Sequence, residues 1–143
     1  MSGLESRQRA LVAALVAGGA IPDGLDPVRL SAAERALRAK RAGEVAGVWP
    51  LLAVTLGFDP RFADWAVARP SHGALRDGWD FARELAAADR LPELARLELA
   101  GREVLGRYDG QIDPRPRRLP AVRRVPGGWV IGLLGRVCVF AAG

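Results

Sequence analysis

The chain has 143 residues, half of them hydrophobic, and a formal net charge of +5. That length suits one domain, or one domain with a small appendage, able to bury a modest core without staples. A single cysteine, Cys138, and a single histidine, His72, exclude a disulfide framework and a Cys/His metal cluster within one chain, so a reducing, cytoplasmic setting is expected.

Arg7 and Arg9 precede an apolar run from Ala10 to Ile21 that loosely imitates a secretion signal. Leu4, Leu11 and Leu15 form a helical stripe there, so a first helix is expected from about Glu5 to Ala17, ended by Gly18-Gly19. Asp26-Pro27 opens a second helix: Asp can cap the free N–H groups, and Pro at the first helical position gives up no needed hydrogen bond. Continued to Val48, it sets Leu30, Ala33, Leu37, Val45 and Val48 near one face. Arg41 and Glu44 lie beside that stripe at i, i+3 spacing and are expected to form a structural ion pair.

Pro50 begins a short helix through Leu56, which Gly57 stops. Asp59-Pro60 repeats the cap-and-proline device, and Phe58, Phe62, Trp65 and Ala66 fall at helical spacing as a core stripe. Arg69-Pro70 ends this helix, because the residue before a proline is pushed out of the α region. Ser71-His72-Gly73 is then a turn, and His72, with no second ligand or acid near it, reads as a surface residue.

The next helix places Gly78, Phe81, Ala82 and Leu85 on one face, with Asp77 and Asp80 in a first turn where the helix dipole favours carboxylates. Leu91-Pro92 starts the last helix, whose stripe is Leu94, Leu97, Gly101, Val104, Leu105 and Tyr108, with Glu98 on or beside it. A buried carboxylate without a partner is costly. Glu98 therefore needs a cation, either Arg102 one turn on or an arginine from another helix.

After Tyr108 the composition turns Pro/Arg-rich and aperiodic. Residues 1 to 101 balance 13 Lys+Arg against 13 Asp+Glu, whereas residues 102 to 143 hold 8 against 3, so the tail carries the whole net charge. It suits an acidic partner (nucleic acid, membrane surface or peptide) or is a solvated arginine-rich linker. Leu119 to Val125, Trp129 to Leu134 and Val137 to Phe140 read as short antiparallel strands, with Pro126-Gly127 at the centre of a type II turn. Trp129, Ile131 and Leu133 would share one face and Val130 and Leu134 the other. Such a sheet must pack on the helices, on a partner or on both, and its edges leave backbone groups free to pair. Cys138 reads as a small buried apolar residue. The apolar run from Val125 to Gly135 is too short to span a bilayer, and no membrane contact is expected.

The expected fold is mainly α: a bundle of about five to six helices followed by a small C-terminal antiparallel β-hairpin or three-stranded meander. Its expected divisions are a helical domain over 1–108, a Pro/Arg-rich linker over 109–118 and a β appendage over 119–143. There is no phosphate-binding Gly-rich loop, no Cys-x-x-Cys and no His-x-x-x-His, and Ser2, Ser6, Ser31 and Ser71 are not set in a nucleophile elbow. No catalytic residue, metal or cofactor is expected, and an enzyme acting alone is not.

Between Arg41 and Ala100 the residues Arg41, Glu44-Val45, Trp49-Pro50, Leu56-Gly57, Phe62, Arg69-Pro70, Gly78, Asp80-Phe81, Leu85, Leu91-Pro92 and, above all, Leu94-Ala95-Arg96-Leu97-Glu98-Leu99-Ala100 form a pattern. It resembles the HvfC/BufC-type N-terminal domain, a family first labelled as DNA-binding. Leu99 stands where that family typically shows an aromatic, and the tail is shorter than usual. Arg118-Leu119-Pro120-Ala121-Val122-Arg123-Arg124 and Pro126-Gly127-Gly128 are similar to a compact actinobacterial branch.

The resemblance implies a non-catalytic partner of a multinuclear non-haem iron oxidase that modifies ribosomally made precursor peptides. It implies a helical body that docks on the enzyme and a β portion that helps hold the precursor's leader, for which strand addition to an open sheet edge is a physically economical route. On that basis Val122, Arg124, Trp129 and Ile131 are the expected peptide-binding residues. Arg41, Glu44, Arg96, Glu98 and Arg102 are ion-pair candidates that brace the helices. A competing expectation is a nucleic-acid-binding module using Arg115, Arg117, Arg118, Arg123, Arg124 and Arg136, although these lie on a linker and strands rather than on a recognition helix. A third is a docking domain that stabilises a larger enzyme and touches no substrate.

Overall fold

The computed structural model describes residues 26–142 except Leu56, and in the N-terminal part Glu5, Ser6 and Arg9, which are helical. The rest of the expected Glu5–Ala17 helix, its Gly18-Gly19 stop and the Ala10–Ile21 run lie outside the described residues, as does the expected helix end at Leu56. Among the described residues the order is α1 (Pro27–Val48), α2 (Pro50–Thr55), α3 (Phe58–Trp65), α4 (Ala74–Ala87) and α5 (Glu93–Leu105), then β1 (Gly106–Arg107), β2 (Arg115–Pro116), β3 (Ala121–Val125), β4 (Gly128–Leu133) and β5 (Arg136–Ala141). The protein is mainly α with a C-terminal three-stranded meander. No helix among the described residues is long and apolar enough to cross a membrane.

The local punctuation acts largely as its chemistry dictates. Asp26 caps α1 by accepting the Val28 N–H at 3.0 Å, with Pro27 in the first turn. Pro50 starts α2 directly after Trp49, whose N–H closes α1 on the Val45 carbonyl. The device at Asp59-Pro60 differs from expectation: α3 begins at Phe58, its N-cap is Gly57 in the left-handed region at φ 55°, and Asp59 lies inside the first turn.

The main core joins α1 to α5 through Ala42, Val45, Trp49, Leu52, Phe58, Phe62, Phe81, Leu85, Ala95 and Leu99. Phe81 meets Phe58 and Phe62 edge-on at 5.9 and 5.4 Å between centroids, the arrangement the ring quadrupoles prefer. The Trp49 indole lies so close to α4 at Gly78 that a Cβ there would sit inside its van der Waals shell, and its Nε1 donates to the Leu75 carbonyl at 3.1 Å. Leu37, expected in the stripe of α1, is instead exposed.

The last helix corrects the sequence reading most. It has two buried faces rather than one stripe: Ala95 and Leu99 enter the helical core, while Ala100 and Val104 pack with Val125 and Val130 of the meander. Leu94 is exposed, and the helix ends at Leu105, so Tyr108 reaches the core from beyond β1, its ring 5.3 Å from Trp79. A helix lying between a bundle and a sheet shows a broad apolar arc, from which a single stripe cannot be picked out.

The ion pairs also differ from those that sequence spacing suggests. Arg41 does not pair with Glu44; its Nε donates to Asp77 Oδ2 at 2.7 Å, and its Nη atoms donate to the carbonyls of Arg69 and Pro70. Asp77 is buried and also accepts from Ser71 Oγ and the His72 N–H, so it ties the 69–73 turn to α1. Glu44 faces solvent near Lys40. Asp80, expected to serve the helix dipole, accepts from the Tyr108 hydroxyl at 2.9 Å.

Glu98 and Arg102 clamp the corner between α1 and α2. Glu98 Oε2 accepts the Leu52 N–H at 2.8 Å, one of the orphan donors at the start of α2, while Arg102 Nη2 donates to the Val48 carbonyl at the end of α1. Their own separation is 3.8 Å, and the Arg102 guanidinium lies 4.1 Å from the Trp49 ring centroid. Burial raises the Glu98 carboxyl above its usual range against the pull of the Leu52 N–H and Arg102, and burial lowers Arg102. Arg96 stands apart from this pair, donating to the Leu91 carbonyl and to Asp89 across the α4–α5 turn.

Residues 109–118 fold back on the helical body. Arg117 N–H donates to the Leu105 carbonyl at 2.7 Å, Arg76 donates to the Gln111 carbonyl, and β1 pairs antiparallel with β2. Asp109 caps the loop by accepting from the N–H groups of Gln111 and Ile112, which hold its carboxyl below the usual range.

Candidate functional site

The meander has the order β3-β4-β5, all antiparallel. Gly127 at φ 77° supplies the positive φ of the β3–β4 turn, and Leu134-Gly135, at φ 49° and 76°, supply both for the β4–β5 turn. Two-residue turns fix register, and register fixes which side chains share a face. Opposed pairs Val122↔Ile131, Arg124↔Trp129, Trp129↔Phe140 and Ile131↔Cys138 build one outward face. The inward face packs on α5 through Val125 and Val130. There Gly132 is needed for close approach, since a Cβ at that position would come 2.5 Å from the Val104 carbonyl oxygen.

The four expected peptide-binding residues are therefore brought together. Val122, Arg124 and Trp129 are exposed and Ile131 is half-buried between them. The Arg124 guanidinium lies 5.7 Å from the Trp129 ring centroid, and 45% of Trp129 remains accessible. A cleft of about 400 Å³ opens beside this pair along the β3–β4 turn, lined also by Val125, Pro126 and Ala142. Leu133 extends the outward face, but Leu134, expected opposite it, is in the turn.

Two contributors were not foreseen. Phe140 sits directly across from Trp129, and Cys138, expected to be buried, is a free exposed thiol across from Ile131. Counting by twos from the Leu134-Gly135 turn would have found both. All six residues of β5 are exposed: Val137 approaches Gly101 of α5, while Val139 is 61% exposed. Among the described residues no strand lies on the outer side of β5, and an edge strand with apolar side chains on both faces is a template for pairing with another chain.

Of the basic residues named for nucleic acid, Arg115, Arg117, Arg118 and Arg123 line clefts around the β1–β2 ribbon, whereas Arg124 and Arg136 lie on the meander. Arg123 Nε donates to Glu103 Oε2 at 3.2 Å, Arg117 Nε donates to the carbonyls of Glu103 and Gly106, Arg124 lies on Trp129, and Arg136 is on the outward face opposite Leu133. His72 is exposed, and no group of three or more His, Cys, Asp or Glu residues among those described could hold a metal ion.

Comparison with known proteins adds a family. The pattern of the SCO6045-like, C-terminal domain matches residues 5–87, up to the end of α4. A UPF0276 protein of Streptomyces avermitilis is 42% identical over an alignment of 119 residues that covers 81% of this chain and 24% of that protein. The chain thus spans about a quarter of the length of this relative. No solved structure matches.

Proposed function

The chain belongs to the SCO6045-like, C-terminal domain family, and we propose that it serves as a non-catalytic accessory subunit in the maturation of a ribosomally made peptide, in the cytoplasm. Its helical body docks on a separate, iron-dependent peptide-modifying oxidase, and its meander holds the precursor. The observation that carries the peptide half is β5, an open edge strand exposed on both faces next to the Trp129–Phe140 pair. An extended peptide added there gains main-chain hydrogen bonds for affinity, and its alternate side chains meet Phe140 and Trp129 on one face and Val137 and Val139 on the other. The oxidase half is supported by the resemblance over Arg41–Ala100. A relative about four times the length of the shared region is consistent with a domain that works beside a larger module.

The competing reading, a nucleic-acid-binding module, has less support, because Arg117 and Arg123 are engaged by Glu103 or its carbonyl. Co-purification with a candidate oxidase and peptide binding by fluorescence anisotropy test the proposal. Trp129→Ala and Val139→Glu are expected to abolish peptide binding and leave the enzyme complex intact. Absence of both a complex and peptide binding at micromolar protein would sink it; loss of the complex with these variants would move the docking surface onto the meander.

A further inference from the structure

We infer that the arginine groove around the β1–β2 ribbon is a binding site for an acidic peptide segment. Arg107 and Arg115 are directly opposed in an antiparallel pair, which places their Cβ atoms about 5 Å apart on the same side of the ribbon. Like charges so placed repel. Arg107 forms no salt bridge or hydrogen bond through its side chain among the described residues, and Arg115 acts only at a distance, on Asp109. Arg118 is exposed beside them.

A two-residue ladder with facing arginines would not persist by itself. It is imposed by the body: the Arg117 N–H is fixed on the Leu105 carbonyl and the Arg117 Nε on those of Glu103 and Gly106. The fold thus maintains a concentration of positive charge that the three carboxylates of the groove neutralise only in part. Two clefts meet at the ribbon, one of about 530 Å³ reaching Arg83, Glu103 and Arg123, the other of about 320 Å³ reaching Arg118 and Leu119.

The charges present choose the occupant. Arg107 and Arg115 offer planar donor forks that match carboxylates two at a time. Glu103, Asp109 and Asp113 line the same groove, with Glu103 held between Arg83 at 2.8 Å and Arg123 at 3.2 Å. A continuous phosphate backbone would meet these three carboxylates along its path, whereas a peptide can place acidic side chains on the arginines and neutral or basic ones beside the acids. The choice of a peptide among anions rests on the peptide-holding role proposed above.

The test uses the full chain and fluorescein-labelled probes: a peptide alternating Glu and Ser, its Gln counterpart, and a short single-stranded DNA. Anisotropy is read between about 50 and 200 mM NaCl, where contacts to charged groups weaken. The Glu probe should bind at least about tenfold more tightly than the Gln probe, and R107Q/R115Q should remove that difference, as expected for two charge-assisted contacts. The same variant should keep or raise the melting temperature, because a repulsive pair is gone; a purely structural role would lower it. R61Q/R90Q, which removes equal charge from exposed sites on α3 and after α4, should bind the Glu probe like the parent. Equal loss in both double variants, no discrimination between Glu and Gln, or tighter binding of DNA through Arg107 and Arg115 would each overturn the inference. If R107Q/R115Q keeps Glu-probe binding while Trp129→Ala loses precursor binding, the groove fails and the meander's role stands; the reverse pattern keeps the groove and removes the meander.

Discussion

Replacing Asp77 by alanine should be among the most damaging single changes to this protein. Its carboxylate is 1% exposed and accepts from Arg41 Nε and Ser71 Oγ, both at 2.7 Å, and from the His72 N–H at 3.0 Å. Removing it leaves Arg41, itself only 13% exposed, without its counter-charge beside the rings of Phe62 and Trp65. Breaking a buried pair in this way costs about 3 to 5 kcal/mol. Arg41 retains the carbonyls of Arg69 and Pro70 and some water, so the lower end, about 3 kcal/mol, is expected. For a chain of this size that corresponds to a fall in Tm of roughly 6 to 12 °C. Urea unfolding followed by far-ultraviolet circular dichroism should show the midpoint shifted with the slope unchanged. Asp77→Asn, which keeps one acceptor, should lie between alanine and the parent. An apolar replacement of both partners, R41M/D77L, should recover much of the loss, since no unpaired charge then remains buried. A cost below about 1 kcal/mol for Asp77→Ala would refute the view that this carboxylate anchors the 69–73 turn to α1, because that is the range of an exposed pair.

Two further perturbations probe how the meander is carried and how the α1–α2 corner is held. Gly132→Ala forces a Cβ against the Val104 backbone, which has nowhere to move; a destabilisation of about 1 to 3 kcal/mol is expected. Hydrogen exchange should then speed up in β4 and β5 while the α4 amides keep their protection, and uniform loss across both regions would contradict it. Glu98→Gln removes a carboxyl whose folded-state pKa is raised by burial. A raised carboxyl contributes stability below its unfolded pKa and loses that contribution as pH rises through the folded value, so the parent should gain on the Gln variant as pH falls from neutrality toward the unfolded glutamate range. Denaturation midpoints that diverge in the opposite sense would show that Glu98 is held as a favoured anion instead.

Which features could be read without the fold follows from the range of each signal. Caps and breakers act over a few residues: Asp26-Pro27, Trp49-Pro50 and Pro126-Gly127 mark element ends in the structure much as their backbone chemistry dictates. Period-two alternation likewise put Val122, Arg124, Trp129 and Ile131 within reach of one another, since it is a property of the strand itself. Asp59 failed as a cap because Gly57, two residues earlier, already offered the left-handed conformation from which α3 could start.

What the amino-acid order determined by itself is thus local: most helix and strand limits, though not the start of α3 or the end of α5, the aromatic core stripe of α3, the face on which α4 packs, and an uneven charge that gathers in the tail. The tertiary structure alone decided the partners. Arg41 finds its counter-ion 36 positions away and Glu98 its N–H donor 46 positions away, while nearer groups of suitable charge, Glu44 among them, stay in water. It also decided that α5 is buried on two faces and that β5, with Cys138 and Phe140, is buried on neither. The reason is geometric. Burial is a relation between elements, and an apolar residue carries the same chemistry whether a neighbouring element covers it or, as at the edge of this sheet, none of the described elements does.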